Sequence, residues 1–187
     1  KEFPELFSNY DIIATSSIFS AQTRMQFEVA AVAAKVSKQI GKKILTISGG
    51  VNARALREHF LSNGFDIVAL GEGERTIVQI CEEFSSKKPD YSKVERIAFR
   101  KDGKTIITSA PYRKPTKFLD EHVPMPALDS LPLDTYQKLN IPHAGFVPPQ
   151  TRIAPMMTAR GCQDKCTYCH ISQEKIDKGL VGDIGFP

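Results

Sequence analysis

Cys162, Cys166 and Cys169 lie within eight residues of one another near the carboxyl end of the chain, spaced C-x3-C-x2-C; the fourth cysteine, Cys81, stands far upstream. Three thiolates that close cannot all pair with one another, but a short loop can wrap them around one inorganic centre. An iron–sulfur cluster on three cysteines leaves one iron without a protein ligand. An open coordination position is what catalysis at a metal requires and what a structural site lacks. The expected ligand set for a [4Fe–4S] cluster is therefore Cys162, Cys166 and Cys169, flanked by Arg160 and Lys165, whose positive charge favours the thiolate form.

Two other metal chemistries share these letters. A zinc knuckle would use His170 as fourth ligand. Neighbouring Cys169 and His170 diverge too readily to close a tetrahedron, and the usual second ligand pair a dozen or more residues away is missing from the sequence. A c-type haem would use Cys166-Thr167-Tyr168-Cys169-His170 as C-x-x-C-H, but that leaves Cys162 without a role. The iron–sulfur reading uses all three sulfurs.

The rest of the chain must support this loop or bring something to it. The 187 residues are 41% hydrophobic, enough for a packed core, and 25 Lys+Arg against 21 Asp+Glu give a net charge of +4. No basic run suggests nucleic acid, and no apolar run suggests a membrane span or a signal peptide. Clustered rather than paired cysteines point to a reducing compartment, so cytoplasm is the expected location. The chain begins at Lys1, approaches its first strand within ten residues, and ends soon after the cysteines, so it is expected to be a piece of a longer protein.

Strand and helix signals alternate. Tyr10–Ser16, Lys43–Ser48 and Asp66–Leu70 are short apolar runs suited to buried strands. Between the first two, Met25, Val29, Val32, Val36 and Ile40 recur every three or four residues, the buried face of a helix ended by Gly41. Asn52 is placed as the N-cap of a second helix, with Leu56 and Phe60 buried and Asn63-Gly64 at its end. A third helix follows Gly71-Glu72-Gly73-Glu74, whose carboxylates suit its amino end; Ile77, Ile80, Cys81 and Phe84 form its apolar face, with Cys81 a small buried hydrophobe. Short connections and right-handed crossovers make this a Rossmann-like α/β layer, an open parallel sheet with only three strands visible. Asp102-Gly103 between alternating residues predicts a type I′ hairpin, and Ala110 to Pro149 is proline-rich, without helical periodicity, and expected to be an extended linker. Arg152–Thr158 is expected to be a strand feeding the cysteine loop. The expected units are 1–90, an α/β domain lacking its first half; 91–150, hairpin and linker; and 151–187, the start of a second domain. Gly49-Gly50 would let a ligand approach the backbone at a helix amino terminus, or simply form a tight strand-to-helix turn, the plainer reading of a bare glycine pair.

The cysteine spacing, with the aromatic Tyr168 just before Cys169, resembles the signature of the radical S-adenosylmethionine superfamily. The upstream units are similar to the cobalamin-binding domain that precedes the radical domain in one branch, through Ser16-Ser17-Ile18, Gly49-Gly50 and Gly71-Glu72-Gly73-Glu74, with the Asp102-Gly103 hairpin and Asp129–Asp134 also alike. The resemblance implies that residues 151–187 open a barrel, that S-adenosylmethionine chelates the open iron, and that reductive cleavage yields a 5′-deoxyadenosyl radical. Tyr168 would then lie beside the adenine, or merely pack the loop, and Ser17, Gly49 and Gly50 would contact cobalamin. No residue is assigned as catalytic. A methyltransferase, or a ring-forming or rearranging enzyme, would be the outcome, with a small-molecule substrate and a reductant such as flavodoxin or ferredoxin. The branch's cobalt-ligating histidine motif is missing: His59, His122, His143 and His170 all lie in other contexts. That leaves open a ligand supplied by sequence upstream, cobalamin held without a histidine, or no cobalamin. Two further readings remain, a cobalamin carrier with a vestigial loop and an iron–sulfur electron-transfer protein.

Overall fold

The computed structural model describes residues 3–109, 125–138 and 166–169. The elements are α1 (Phe3–Ser8), β1 (Ile12–Ser16), α2 (Thr23–Ile40), β2 (Leu45–Gly49), α3 (Val51–Ala55), α4 (Arg57–Ser62), β3 (Ile67–Ala69), α5 (Gly73–Phe84), β4 (Ile97–Lys101), β5 (Lys104–Ile107) and α6 (Leu133–Lys138), with short 3-10 turns between some of them. The sheet has the order β1-β2-β3-β4-β5. The first three strands are parallel neighbours, Ile12 facing Leu45 and Ile47 facing Ile67; β4 then runs antiparallel to β3, and β5 returns beside it. The expected parallel layer is present, and the hairpin extends it into a mixed sheet.

Alternating side chains divide the core between the two faces. Ala30, Ala53, Phe60, Phe65 and Val68 gather under α2, α3 and α4. Leu45, Ile47, Ile67, Ile97 and Phe99 meet Ile80 of α5 on the opposite face. Residues one apart in a strand point to opposite faces, which is why Ile67 and Val68 belong to different clusters. Interior strand β2 is buried over its first four residues, as a strand covered on both faces should be. Beside β1 a smaller cluster joins Phe7 of α1 to Ala33, Val36 and Ile44.

Local rules explain the joints. Gly41 closes α2 with φ 65° in the left-handed region, where glycine carries no steric penalty. Asp102 and Gly103 have φ of 50° and 75°, the two positive values that a type I′ turn requires. The hairpin is tied to α4 by Arg100 donating to Ser62 Oγ (2.8 Å) and Thr105 donating to Glu58 (2.8 Å).

Several sequence expectations are corrected. The buried face of α2 is Gln26, Ala30, Ala33 and Val36, whereas Met25 is 68% exposed and Ile40 is exposed. Alanines let helix and sheet backbones approach, so the larger apolar residues are displaced to the flank. The second helix breaks at Leu56, which is exposed, and its N-cap is Gly50 rather than Asn52. Cys81 is exposed, because α5 turns Thr76 and Ile80 to the sheet. Within the expected linker, α6 forms directly behind Pro132, where a missing N–H costs nothing, with Asp134 in its first turn. The strand expected at Arg152–Thr158 lies outside the described residues. Among the described residues, no helix is long and apolar enough to cross a membrane.

Candidate functional site

Of the cysteine loop, residues 166–169 are described; Cys162 and His170 lie outside. Cys166 to Cys169 forms a turn in which the Cys169 N–H donates to the Cys166 carbonyl (3.2 Å). Both cysteines of this turn are partly exposed. Tyr168, between them, is 91% exposed, so its ring does not pack the turn. Two thiol-bearing residues on one turn have the chemistry to bind a metal; Cys162, the third cysteine of the spacing, lies outside the described residues. Among the described residues no three His, Cys, Asp or Glu side chains are grouped to hold a metal.

The second candidate region is the carboxyl end of the parallel strands, where open α/β sheets place ligands. Ser17 leaves β1 fully buried. Its N–H donates to the Gly49 carbonyl (2.8 Å), and its own carbonyl accepts from Asn52 N–H (3.0 Å). The loops after β1 and β2 are thereby stitched together. Gly50 sits in this seam with φ 87° and ψ 167°, a region that glycine alone occupies readily. A Cβ added there would fall 2.5 Å from the Ser17 carbonyl oxygen. Gly50 thus serves a close approach of two backbones, and a Cβ on Gly49 would meet only Ala69 at an ordinary 3.6 Å. Gly71 plays a similar part after β3: its missing side chain makes room for Arg96, whose Cδ would lie 2.7 Å from a Cβ. Glu72 occupies the N-cap position of α5 without a side-chain cap bond, so the expected capping role is met in position and charge only.

The stitching presents a surface. Ile18 N–H and Phe19 N–H both donate to Gln22 Oε1, at 3.0 and 3.1 Å, which satisfies the loop backbone internally. The side chains of Ile18 and Phe19 are left 55% and 66% exposed. Behind them Gln26, nearly buried, donates to the Ser16 carbonyl (2.8 Å) and accepts from Thr15 (2.5 Å) and Ser48 (3.1 Å), locking α2 to the ends of β1 and β2. Gln22, Gln26, Thr23 and Asn52 were not singled out from the sequence for this role. Polar residues on a helix carry no periodic signal, and their function here depends on partners remote in the chain.

The fold and this rim define a class: a Rossmann-like α/β module with an ordered, apolar-edged loop at the carboxyl end of its parallel strands, carried on the same chain as a cysteine turn. No protein-family model matches the chain. It is similar to an uncharacterized methyltransferase of Pyrococcus horikoshii, 26% identical over 160 residues, covering 84% of this chain and 30% of that protein. It is also similar to the cytidylyl-2-hydroxyethylphosphonate methyltransferase of Streptomyces wedmorensis, 27% identical over 197 aligned positions, covering 93% of this chain and 36% of that protein. The chain spans about a third of the length of the curated relatives it matches.

Proposed function

We propose that this chain belongs to a radical S-adenosylmethionine methyltransferase, whose cluster is held by Cys162, Cys166 and Cys169. The observation that carries the reading is the complete three-cysteine spacing, with Cys166 and Cys169 on one tight turn. Similarity to two methyltransferases along most of the chain supports methyl transfer over ring formation or rearrangement. When bound, such a cluster would supply the one-electron reduction by which S-adenosylmethionine is cleaved, the electron coming from a reductant such as flavodoxin or ferredoxin. The residues' own parts are simpler. The thiolates of Cys162, Cys166 and Cys169 would each hold one iron of the cluster, and the fourth iron would be available to the cosubstrate. Tyr168, clear of the turn, is free to lie against the adenine.

The Rossmann-like module is assigned to cobalamin. Ile18 and Phe19, held outward on a hydrogen-bonded loop, fit the broad apolar face of a corrin ring. Ser17, Gly49 and Gly50 shape that loop, and the rim supplies no described histidine for cobalt. The substrate is proposed to be a small molecule, the electron donor a flavodoxin or ferredoxin, and the location the cytoplasm.

The test is spectroscopic. Electron paramagnetic resonance of the anaerobically reconstituted and reduced chain should show a cluster signal whose g-values move when S-adenosylmethionine is added. A cluster signal indifferent to the cosubstrate would overturn the open-iron assignment and favour simple electron transfer.

A further inference from the structure

Asn52 has the chemistry of a helix cap, yet it lies inside α3 with only 9% of its surface exposed. Its amide Nδ2 has two hydrogens, and both are used across the chain: one goes to Ser17 Oγ at 2.8 Å, the other to Thr23 Oγ1 at 2.9 Å. Ser17 is the residue at which the chain leaves β1, and Thr23 is the first residue of α2. A single side chain from α3, the helix after β2, therefore pins both ends of the loop after β1. Between those pins stand Ile18 and Phe19, the two large apolar side chains that this loop exposes, and Gln22, which holds their backbone.

A helix cap would satisfy its own helix. This amide instead spans 35 residues to one partner and 29 to the other, and both partners flank the exposed pair. A buried polar group keeps its place only when it is hydrogen-bonded, so these bonds hold the amide and the loop in one arrangement. We infer that Asn52 is a positioning residue: it fixes the loop from Ser17 to Thr23 so that Ile18 and Phe19 present one preformed apolar edge to the ligand. The inference rests on the cobalamin reading above and goes beyond it by naming the residue that preorganises the contact. Preorganisation raises affinity by removing the ordering cost at the moment of binding.

The experiment titrates hydroxocobalamin into the purified 187-residue chain, followed by visible absorption well below the melting temperature, with circular dichroism confirming the fold. Asn52→Leu keeps the branched heavy-atom skeleton and removes both bonds. It should weaken binding about tenfold, the equivalent of roughly one to two hydrogen bonds. Amide hydrogen exchange at Ile18 and Phe19 should quicken in the same variant, by about tenfold. Phe19→Ala, which removes a contact and no bond, should weaken binding while leaving the exchange of Ile18 unchanged. Should Asn52→Leu fail to fold, Thr23→Val removes only the bond at the far end of the loop and should show the same two effects, at about threefold each. Equal binding by the wild type and the Asn52 and Thr23 variants would overturn the inference alone. Absence of binding by the wild type would overturn the cobalamin reading and this inference with it.

Discussion

Replacing Gly50 by alanine is expected to destabilise the chain by about 3–5 kcal/mol, a large share of a small domain's stability. Two costs combine. The backbone at φ 87° and ψ 167° lies where a residue with a Cβ is strained by about 1–3 kcal/mol. The new methyl would also stand 2.5 Å from the Ser17 carbonyl oxygen, a backbone atom with no side-chain freedom to yield. Relief requires the loops after β1 and β2 to part. That breaks the bond from Ser17 N–H to Gly49 and the bond from Asn52 N–H to Ser17, at about 1 kcal/mol each. Urea unfolding, read by circular dichroism, measures the loss. Gly49→Ala is the control, since a Cβ there meets only Ala69 at van der Waals distance. Equal stability of the two variants would refute the account of the seam.

Cys166→Ala is expected to reduce the iron and sulfide retained after anaerobic reconstitution to about a tenth of wild type or less. Removing even a residue that merely orients a metal ligand costs about 10–100-fold in affinity, and removing a ligand itself from a three-cysteine set costs at least as much. The turn gives Cys166 a second part, because its carbonyl accepts the Cys169 N–H, but a backbone bond survives substitution by alanine. Loss of cluster in this variant therefore reports the sulfur, not the turn. Cys81→Ala, at an exposed position on α5, should retain the full complement. A Cys81 variant that lost the cluster would bring that cysteine into the ligand set and remove the open iron.

Much of the α/β layer was legible from local signals. The apolar runs at Ile12, Leu45 and Ile67 became parallel neighbours, and Gly41 and Asp102-Gly103 did what their backbone freedom suggests. Packing was harder to read. The Met25-Val29-Val32 stripe satisfies helical periodicity, yet periodicity does not say which face meets the sheet; Ala30 and Ala33 won because small side chains permit the closest approach. Residues Phe7, Met25, Val29 and Val32 consequently line a groove of about 420 Å³ beside β1. The destination of the hairpin was equally hidden, since alternation in residues 97–107 marks two strands but not their partner β3.

The candidate site divides in the same way. The cysteine spacing stands out in the sequence because a metal-binding pattern depends on residue type and short spacing, whereas what it binds depends on residues outside the described ones. Gly50 was noticed for a freedom it does have, but its reason, contact with Ser17, lies 33 residues upstream. Asn52 and Gln26 were not legible as loop anchors, because a lone amide looks alike whether it caps a helix, faces water or bridges two strands.

The proposed methyltransferase needs an iron–sulfur cluster with an open iron on Cys162, Cys166 and Cys169. Metal and sulfide analysis of the purified, anaerobically reconstituted wild-type chain tests it most directly. About four irons and about four sulfides per chain are expected, without stoichiometric zinc. One zinc per chain with no acid-labile sulfide would contradict it.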